Sequence, residues 1–486
     1  MRPLGRNRCP SIRRLPGKPV AAGRDLFGLS AHAKARLIEK LAPAAGRLAA
    51  GVPRRPRDAA ASLETGRLDV RQLDGWRDVH MIEAAADYLG IADPFFRVHD
   101  GVAAAETPID GRFYLNFASY NYLGLNGDPR VTAAAKAAID RYGTSVSASR
   151  PVSGERPIHR DLECALARLH GAEDSIALVG GHATNVTVIG HLLGRHDLIV
   201  HDALIHNSIA QGALLSGARR VPFRHLDAGA ADRALAEARA RHANALLVIE
   251  GHYSMDGDVP DLAAFIAVAR RHRAWLMVDD AHALGVLGPR GFGSADHAGI
   301  DPNEVDIWMG TLSKSLVSCG GYIAGRKELI AYLKRTAPGF VFSVGMAPAA
   351  AAAALAAIDI LEREPERVRR LNQRARLFLE LARAKGLDVG GSIGAAIVPV
   401  ITGSSIAAGR LAEALFRRGI NVQPILYPAV AERAARLRFF LTAEHSEEQV
   451  RKAVEIVAEE ARAVAAEPAD LAAVARHLAG LSARSA

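Results

Sequence analysis

Five short runs of apolar, β-prone residues, Ile176–Val179, Leu198–Val200, Ala245–Ile249, Trp275–Val278 and Asp306–Met309, are separated by long alanine-rich stretches with helical patterning. Runs of this size with little polar alternation are strands buried on both faces. Helical connections between consecutive strands impose right-handed crossovers, and so a mostly parallel sheet. The expected class is therefore α/β. In an open sheet of this kind ligands bind in the crevice beyond the carboxyl ends of the strands, so the residues following each run are the first candidates for chemistry.

The surrounding chain divides by composition. Residues 1–58 form a basic, partly disordered leader: an irregular start to about 26, a helical pattern from about Ser30 to Ala50, and a Pro/Arg linker near 52–58. Residues 59–110 are a helical arm with an amphipathic stretch over about 76–90, and 111–345 the large α/β domain. Residues 346–466 read as an α+β domain, with long helices, then Ala395–Val400, a helix near 405–418, Asn421–Leu426 and Leu437–Leu441; 467–486 is an alanine-rich tail. No internal repeat is present.

Several function classes are excluded at this level. No apolar stretch reaches the ~18–20 residues that span a bilayer, and the nearest, Ala347–Leu361, contains Asp359 and predicts a helix packed in protein. The start of the chain lacks the apolar segment of a secretory signal. Cys9, Cys164 and Cys319 are odd in number and widely spaced, which fits neither a disulfide framework nor a metal site and implies a reducing cytoplasm. Small-residue packing is the reading for Cys319. Much of the net charge of +9 sits in the leader, where Arg2, Arg6, Arg8, Arg13, Arg14, Lys18 and Arg24 face one early acid, Asp25. It predicts a solvated arm or a dock for an acidic partner. Without interleaved aromatics or a recognition-helix pattern, nucleic acid is not that partner.

Three strand ends carry the chemistry. Trp275–Val278 runs into Asp279-Asp280-Ala281-His282, Asp306–Met309 into Gly310-Thr311-Leu312-Ser313-Lys314, and Ile176–Val179 into Gly180-Gly181-His182-Ala183-Thr184-Asn185. These residue types suit pyridoxal 5'-phosphate (PLP). A carboxylate at a buried strand end keeps the pyridine nitrogen protonated, making the ring an electron sink. A loop lysine bonds the cofactor when its surroundings favour the neutral amine. A small-residue turn opening a helix cradles phosphate on backbone N–H groups. Each signal is weak alone; the ordered set is specific.

The chain resembles the α-oxoamine synthases, fold-type I PLP-dependent transferases of aspartate aminotransferase-like architecture, from about Pro94 to about Val464. The resemblance is carried by Ser119-Tyr120-Asn121-Tyr122-Leu123-Gly124, Gly143 to Gly154, His201 to Ser208, Glu250-Gly251-His252-Tyr253-Ser254-Met255-Asp256-Gly257, Asp279 to Gly285, Gly310 to Gly321 and Ala435 to His445. It implies a seven-stranded, mostly parallel sheet with a C-terminal α+β domain, and a homodimer with active sites at the interface. By resemblance Lys314 carries the cofactor and serves as acid/base, Asp279 pairs with the pyridine nitrogen, His282 bonds the ring O3′, and His206 stacks on the ring. Gly181 and His182 form the phosphate turn, Thr311 is a phosphate-binding hydroxyl, Ser254 lies beside the ring, and Arg438 pairs with the substrate carboxylate. Relatives have two adjacent hydroxyl residues in the Phe342-Ser343-Val344 segment, one reaching the neighbouring subunit's phosphate; here only Ser343 remains. The Pro428–Arg438 segment lacks the proline and glycine often found at Ala431 and Arg433. His159 reads as a helix-start packing residue, and Asn185 as one that caps or orients its turn.

The reaction implied is a decarboxylative condensation of an L-amino acid with an acyl-CoA or acyl-carrier-protein thioester, giving an α-amino ketone, CO2 and free thiol. The motifs lean toward the serine palmitoyltransferase and polyketide-associated branch, and Ser149 before Arg150 favours alanine or serine over glycine. Another fold-type I activity (aminotransferase or aldolase) and a non-catalytic partner subunit are the alternatives. An acyl carrier protein, if used, is a separate chain; the basic leader, read first as a solvated arm, is in the alternative reading its dock.

Overall fold

The structure, a computed structural model, describes residues 69–467 apart from Pro428, together with Ala469, Ala473, Val474, Arg476 and His477. The leader, its helix near 30–50, the linker near 52–58 and most of the tail lie outside the described residues. Contacts divide the chain into a large unit, residues 92–468, and a small one made of residues up to 91 and from 469 onward. In the small unit the expected amphipathic helix runs over Asp74–Tyr88 and exposes Trp76, Val79, Met81 and Ile82.

The large unit is organised by a seven-stranded sheet. Its strands are β3 (Asp174–Leu178), β4 (Leu198–Asp202), β5 (Arg219–Phe223), β6 (Ala245–Glu250), β7 (Trp275–Asp279), β8 (Ile307–Thr311) and β9 (Gly321–Gly325), in spatial order β3-β9-β8-β7-β6-β4-β5. All neighbours pair in parallel except β9, which runs antiparallel to both β3 and β8. The doubly buried character of the runs is explicit on β6: Ala245, Leu247 and Ile249 join one core cluster, while Leu246 and Val248 join the cluster on the opposite face. Leu276 and Val278 of β7 likewise oppose Met277. With period-2 side chains and apolar layers on both sides, every position must be apolar.

Two strands escaped the apolar-run reading, each for a physical reason. β5 is Arg-Arg-Val-Pro-Phe at the sheet edge, where arginine and proline are tolerated because one side of the strand has no ladder to complete. β9 is Gly-Tyr-Ile-Ala-Gly; a Cβ on Gly321 would fall 2.6 Å from the Cα of Gly181, so its glycine serves a close backbone approach and weakens the strand signal.

Two smaller sheets complete the unit. β10 (Ile397–Ile401), β13 (Arg436–Phe440) and β12 (Gln423–Ile425) form an antiparallel sheet in the order β10-β13-β12. β1 (Glu106–Ile109) and β2 (Arg112–Asn116) form a hairpin, and β11 (Ile420–Asn421) adds to it in parallel. The strand expected over Asn421–Leu426 is thus shared between two sheets, with buried Val422 at the crossing. The alanine-rich segment is a helix, Pro348–Arg363, with Ala351, Ala354, Ala357 and Ile358 buried in the core. Among the described residues no helix is long and apolar enough to cross a membrane.

Candidate active site

The carboxyl edge of the seven-stranded sheet gathers the predicted residues. Asp279 is the last residue of β7 and is buried. One carboxylate oxygen accepts the N–H of Ala281 at 2.9 Å, and the other accepts Nδ2 of Asn185 at 2.9 Å. Asn185 also donates to Ser208 Oγ (2.9 Å), which lies 2.7 Å from His206 Nδ1. Asn185 therefore orients Asp279 and the ring of His206, beyond the turn-capping role expected of it. Burial lowers the pKa of His206, against the attraction of Asp279.

Lys314 follows β8 by three residues. Burial pulls its amine down to about 8, against the attraction of Asp279 and Glu250 and with the help of the nearby Arg438 cation. The amine sits 5.8 Å from the ring centroid of Tyr120, at a cavity of ≈ 560 Å³ lined also by Phe95, Arg97, His99 and Asn121. Arg97 in that wall stacks on Phe416 at 3.4 Å and faces Glu413 at 3.6 Å.

His282 is buried, with Nδ1 2.8 Å from the hydroxyl of Tyr122. Burial, reinforced by the charges of Lys314 and Arg438, holds its pKa well below the usual histidine range, so the ring is neutral. The turn expected to hold the phosphate is the first turn of the helix Gly181–Leu192, where no side chain caps the backbone N–H groups. A Cβ on Gly181 would fall 2.8 Å from Thr311 Oγ1, so turn and hydroxyl are adjacent. Within its own loop Thr311 Oγ1 contacts Ser313 Oγ at 2.9 Å and donates to the carbonyl of Gly320 at 3.1 Å. His182 is exposed, its ring 6.3 Å from that of His206 and nearly perpendicular to it.

Arg438 and Arg436 lie two residues apart on β13. Arg436 pairs with Asp256 at 2.6 Å. Arg438 donates to the carbonyl of Ser254 (3.0 Å), lies over Phe440 at 4.6 Å and has a buried Nε without a partner. Among the described residues no carboxylate pairs with it. Ser254 is buried, its carbonyl taken by Arg438. Ser343 stands apart: among the described residues no hydrogen bond joins it to this cluster, and its neighbours Phe342 and Val344 are 84% and 51% exposed. In the segment before β13, Glu432 accepts the N–H of Ser405 at 2.8 Å.

Other candidates resolve plainly. His159 is fully buried and bonds the N–H of Arg156 and the carbonyl of Met346, as a packing residue does. Cys319, expected to pack as a small residue, is exposed. Glu250 was not singled out. It ends β6 directly opposite Asp279, is buried, and accepts the backbone N–H of His206. Burial and the adjacent Asp279 raise its pKa well above the usual range. Its signal was a carboxylate at a strand end, the same that marked Asp279. Tyr122, the partner of His282, lies in the Ser119 to Gly124 motif, where residue type alone gives it no role.

A carboxylate fixed at a strand end, a lysine near neutrality, an uncapped helix start lined by glycine and Thr311, and a cation lacking an acid fit PLP and an amino acid better than they fit a closed structural cluster.

The description aminotransferase class I and II matches residues 113–457. A putative 8-amino-7-oxononanoate synthase of Gloeobacter violaceus is 40% identical over 359 residues, covering 73% of this chain and 90% of the relative. The serine palmitoyltransferase of Sphingomonas wittichii superposes with a TM-score of 0.78 at 32% identity, covering 82% of this chain and 100% of its own. A serine palmitoyltransferase solved with PLP superposes with a TM-score of 0.77 at 30% identity, over 82% of this chain and 100% of that one. The chain belongs to the aminotransferase class I and II family and has the fold-type I architecture of PLP-dependent transferases. Within that family it is an α-oxoamine synthase, a PLP-dependent acyltransferase.

Proposed function

We propose that this synthase joins an L-amino acid, alanine or serine in preference to glycine, to an acyl thioester and releases an α-amino ketone, CO2 and free thiol. The observation that carries this is the pairing of Lys314, whose amine is held near neutrality, with Arg438, a cation without an acid, at one strand-end cleft. Bound PLP supplies the electron sink that stabilises negative charge at the amino acid's α-carbon.

The chain's own residues do the rest. Lys314 holds the cofactor, then removes the α-proton and later returns one; an amine titrating near 8 is suited to both. Asp279, oriented by Asn185, would pair with the pyridine nitrogen of bound PLP, and neutral His282 would hydrogen-bond its O3′. His206 would cover the ring face, Gly181, His182 and Thr311 would hold the phosphate, and Ser254 would lie beside the ring. Arg438 reads the amino-acid carboxylate through a forked pair of hydrogen bonds.

Ser343 and its exposed flanks fit a contact to the other subunit of a homodimer. The two described cysteines are free, which suits a cytoplasmic enzyme. The division at 58/59, 110/111, 345/346 and 466/467 belongs to the same proposal, as does docking of a separate acyl carrier protein by the basic leader. Thiol release, measured over a panel of amino acids with CoA-bound and carrier-bound acyl donors, tests the reading. Turnover should need both substrates; amino transfer without thiol release would overturn it.

A further inference from the structure

We infer that His225 is a positioning residue for this reaction: clamped between two carboxylates, it fixes the loop after β6 that in turn aims Arg438. The inference rests on the reading of Arg438 as the carboxylate-binding residue.

Among the described residues one imidazole, that of His225, bridges two acids. Its Nδ1 is 2.9 Å from Asp202 Oδ1 and its Nε2 is 3.1 Å from Asp258 Oδ2. Ionised carboxylates only accept, so both ring nitrogens must donate and the ring is an imidazolium. Burial pulls its pKa down, but the hydrogen bonds and charges of Asp202 and Asp258 outweigh that and raise it to about 10. The clamp is anchored at its base. Asp202 ends β4, is fully buried, and accepts the N–H groups of Leu204 (2.8 Å) and Leu226 (2.9 Å). Leu226 is held at φ +57, a left-handed conformation that a side-chain-bearing residue adopts only under constraint.

Asp258 closes the loop on its other side. Its carbonyl accepts the N–H of Tyr253 at 3.0 Å, and Tyr253 stands edge-on to the imidazole at 4.5 Å. Between these two residues lie the groups that hold the β13 arginines. The Ser254 carbonyl accepts from Arg438, and the Met255 carbonyl (2.9 Å) and Asp256 (2.6 Å) accept from Arg436. Arg436 has an acid to fix it; among the described residues Arg438 has none, and its hydrogen bonds to the Ser254 carbonyl and to Met255 Sδ (3.3 Å) in the same loop set its direction. A shift of the loop is therefore a shift of Arg438. Without the imidazolium, Asp202 and Asp258 would face each other uncompensated, and because Asp202 is anchored by two backbone N–H groups the displacement falls on Asp258 and its loop.

The test uses the PLP-loaded enzyme. His225→Gln keeps a donating amide NH2 for one carboxylate, turns an acceptor oxygen toward the other, and loses the charge. Its amino-acid Kd, by calorimetry without thioester, and its amino-acid KM should rise about tenfold, inside the ~10²-fold that a 1 Å misplacement can cost. Thioester KM and cofactor absorbance should stay near wild type. Asp258→Asn, which leaves His225 paired with Asp202, should raise the same two quantities less, and it decides the matter alone if His225→Gln does not fold. An unchanged amino-acid Kd in the folded variants, or equal rises in both KM values, would overturn the inference. Arg438→Lys separates the two levels. If it leaves amino-acid binding unchanged, the Arg438 reading itself fails; if it weakens binding while the loop variants do not, only the clamp fails.

Discussion

The carboxyl edge of the main sheet carries two buried acid pairs with opposite electrostatics. At the ends of β6 and β7, Glu250 and Asp279 face a lysine whose amine burial has brought to about 8. At the end of β4 and in the loop after β6, Asp202 and Asp258 face a histidine they raise to about 10. The first pair holds its charge weakly, because burial and Asp279 raise the pKa of Glu250 well above the usual carboxylate range, and so leaves its cation labile. The second pair spends both charges on one ring that donates to each. One strand-end edge thus carries the proposed site for chemistry and the proposed clip for structure; what separates them is whether the cation is bonded on every side.

Removing the labile cation should have the largest effect. Lys314→Ala should lower kcat by at least the ~10²–10⁴-fold of a lost acid/base group. Borohydride treatment of wild type should leave the cofactor on the peptide that bears Lys314, and label on any other lysine would end the comparison. Asp279→Asn comes next. It removes the charge but keeps a partner for Asn185, so PLP should remain while α-proton exchange with solvent slows by about 10²-fold, the scale of one lost preorganised electrostatic contact. Normal exchange in a loaded variant would reduce Asp279 to an anchor.

Arg438→Lys keeps charge and loses the fork, so amino-acid KM should rise about tenfold, ~1.4 kcal/mol, with thioester KM changed much less. A rise in the thioester value alone would move Arg438 to the acyl site. The smallest effect concerns stability. His225 has a folded pKa raised from 6.5 to about 10, so its contribution is complete below pH 6.5 and fades as pH climbs through 10. The groups facing it are Asp202, Asp258 and Tyr253, with Arg224 and Asp227 paired on its own segment. The Tm gap between wild type and His225→Gln should be wider at pH 6 than at pH 10, by on the order of 2–4 °C. A gap independent of pH would mean the ring is not charged.

Much of this was legible before any coordinates. The five apolar runs read as doubly buried strands because, with little polar alternation, they are too short for a buried helix such as Pro348–Arg363. Asp279, Lys314 and Gly181 were marked because each follows such a run, at the end where α/β sheets bind ligands.

The remainder depended on register and on contacts between distant segments. That Glu250 stands beside Asp279 follows from how β6 and β7 align, and a one-residue slip would have turned that carboxylate to the other face of the sheet. Asn185 reaches Asp279 across 94 positions of chain. Arg436 and Arg438 are equivalent as letters, and only the loop over Tyr253–Asp258 gives one an acid and leaves the other without. Sequence determined which residue types stand at the strand ends, since burial and turn chemistry act locally. Tertiary structure decided which charges are spent and which stay available, since Coulomb and hydrogen-bond partners are fixed by distance in space.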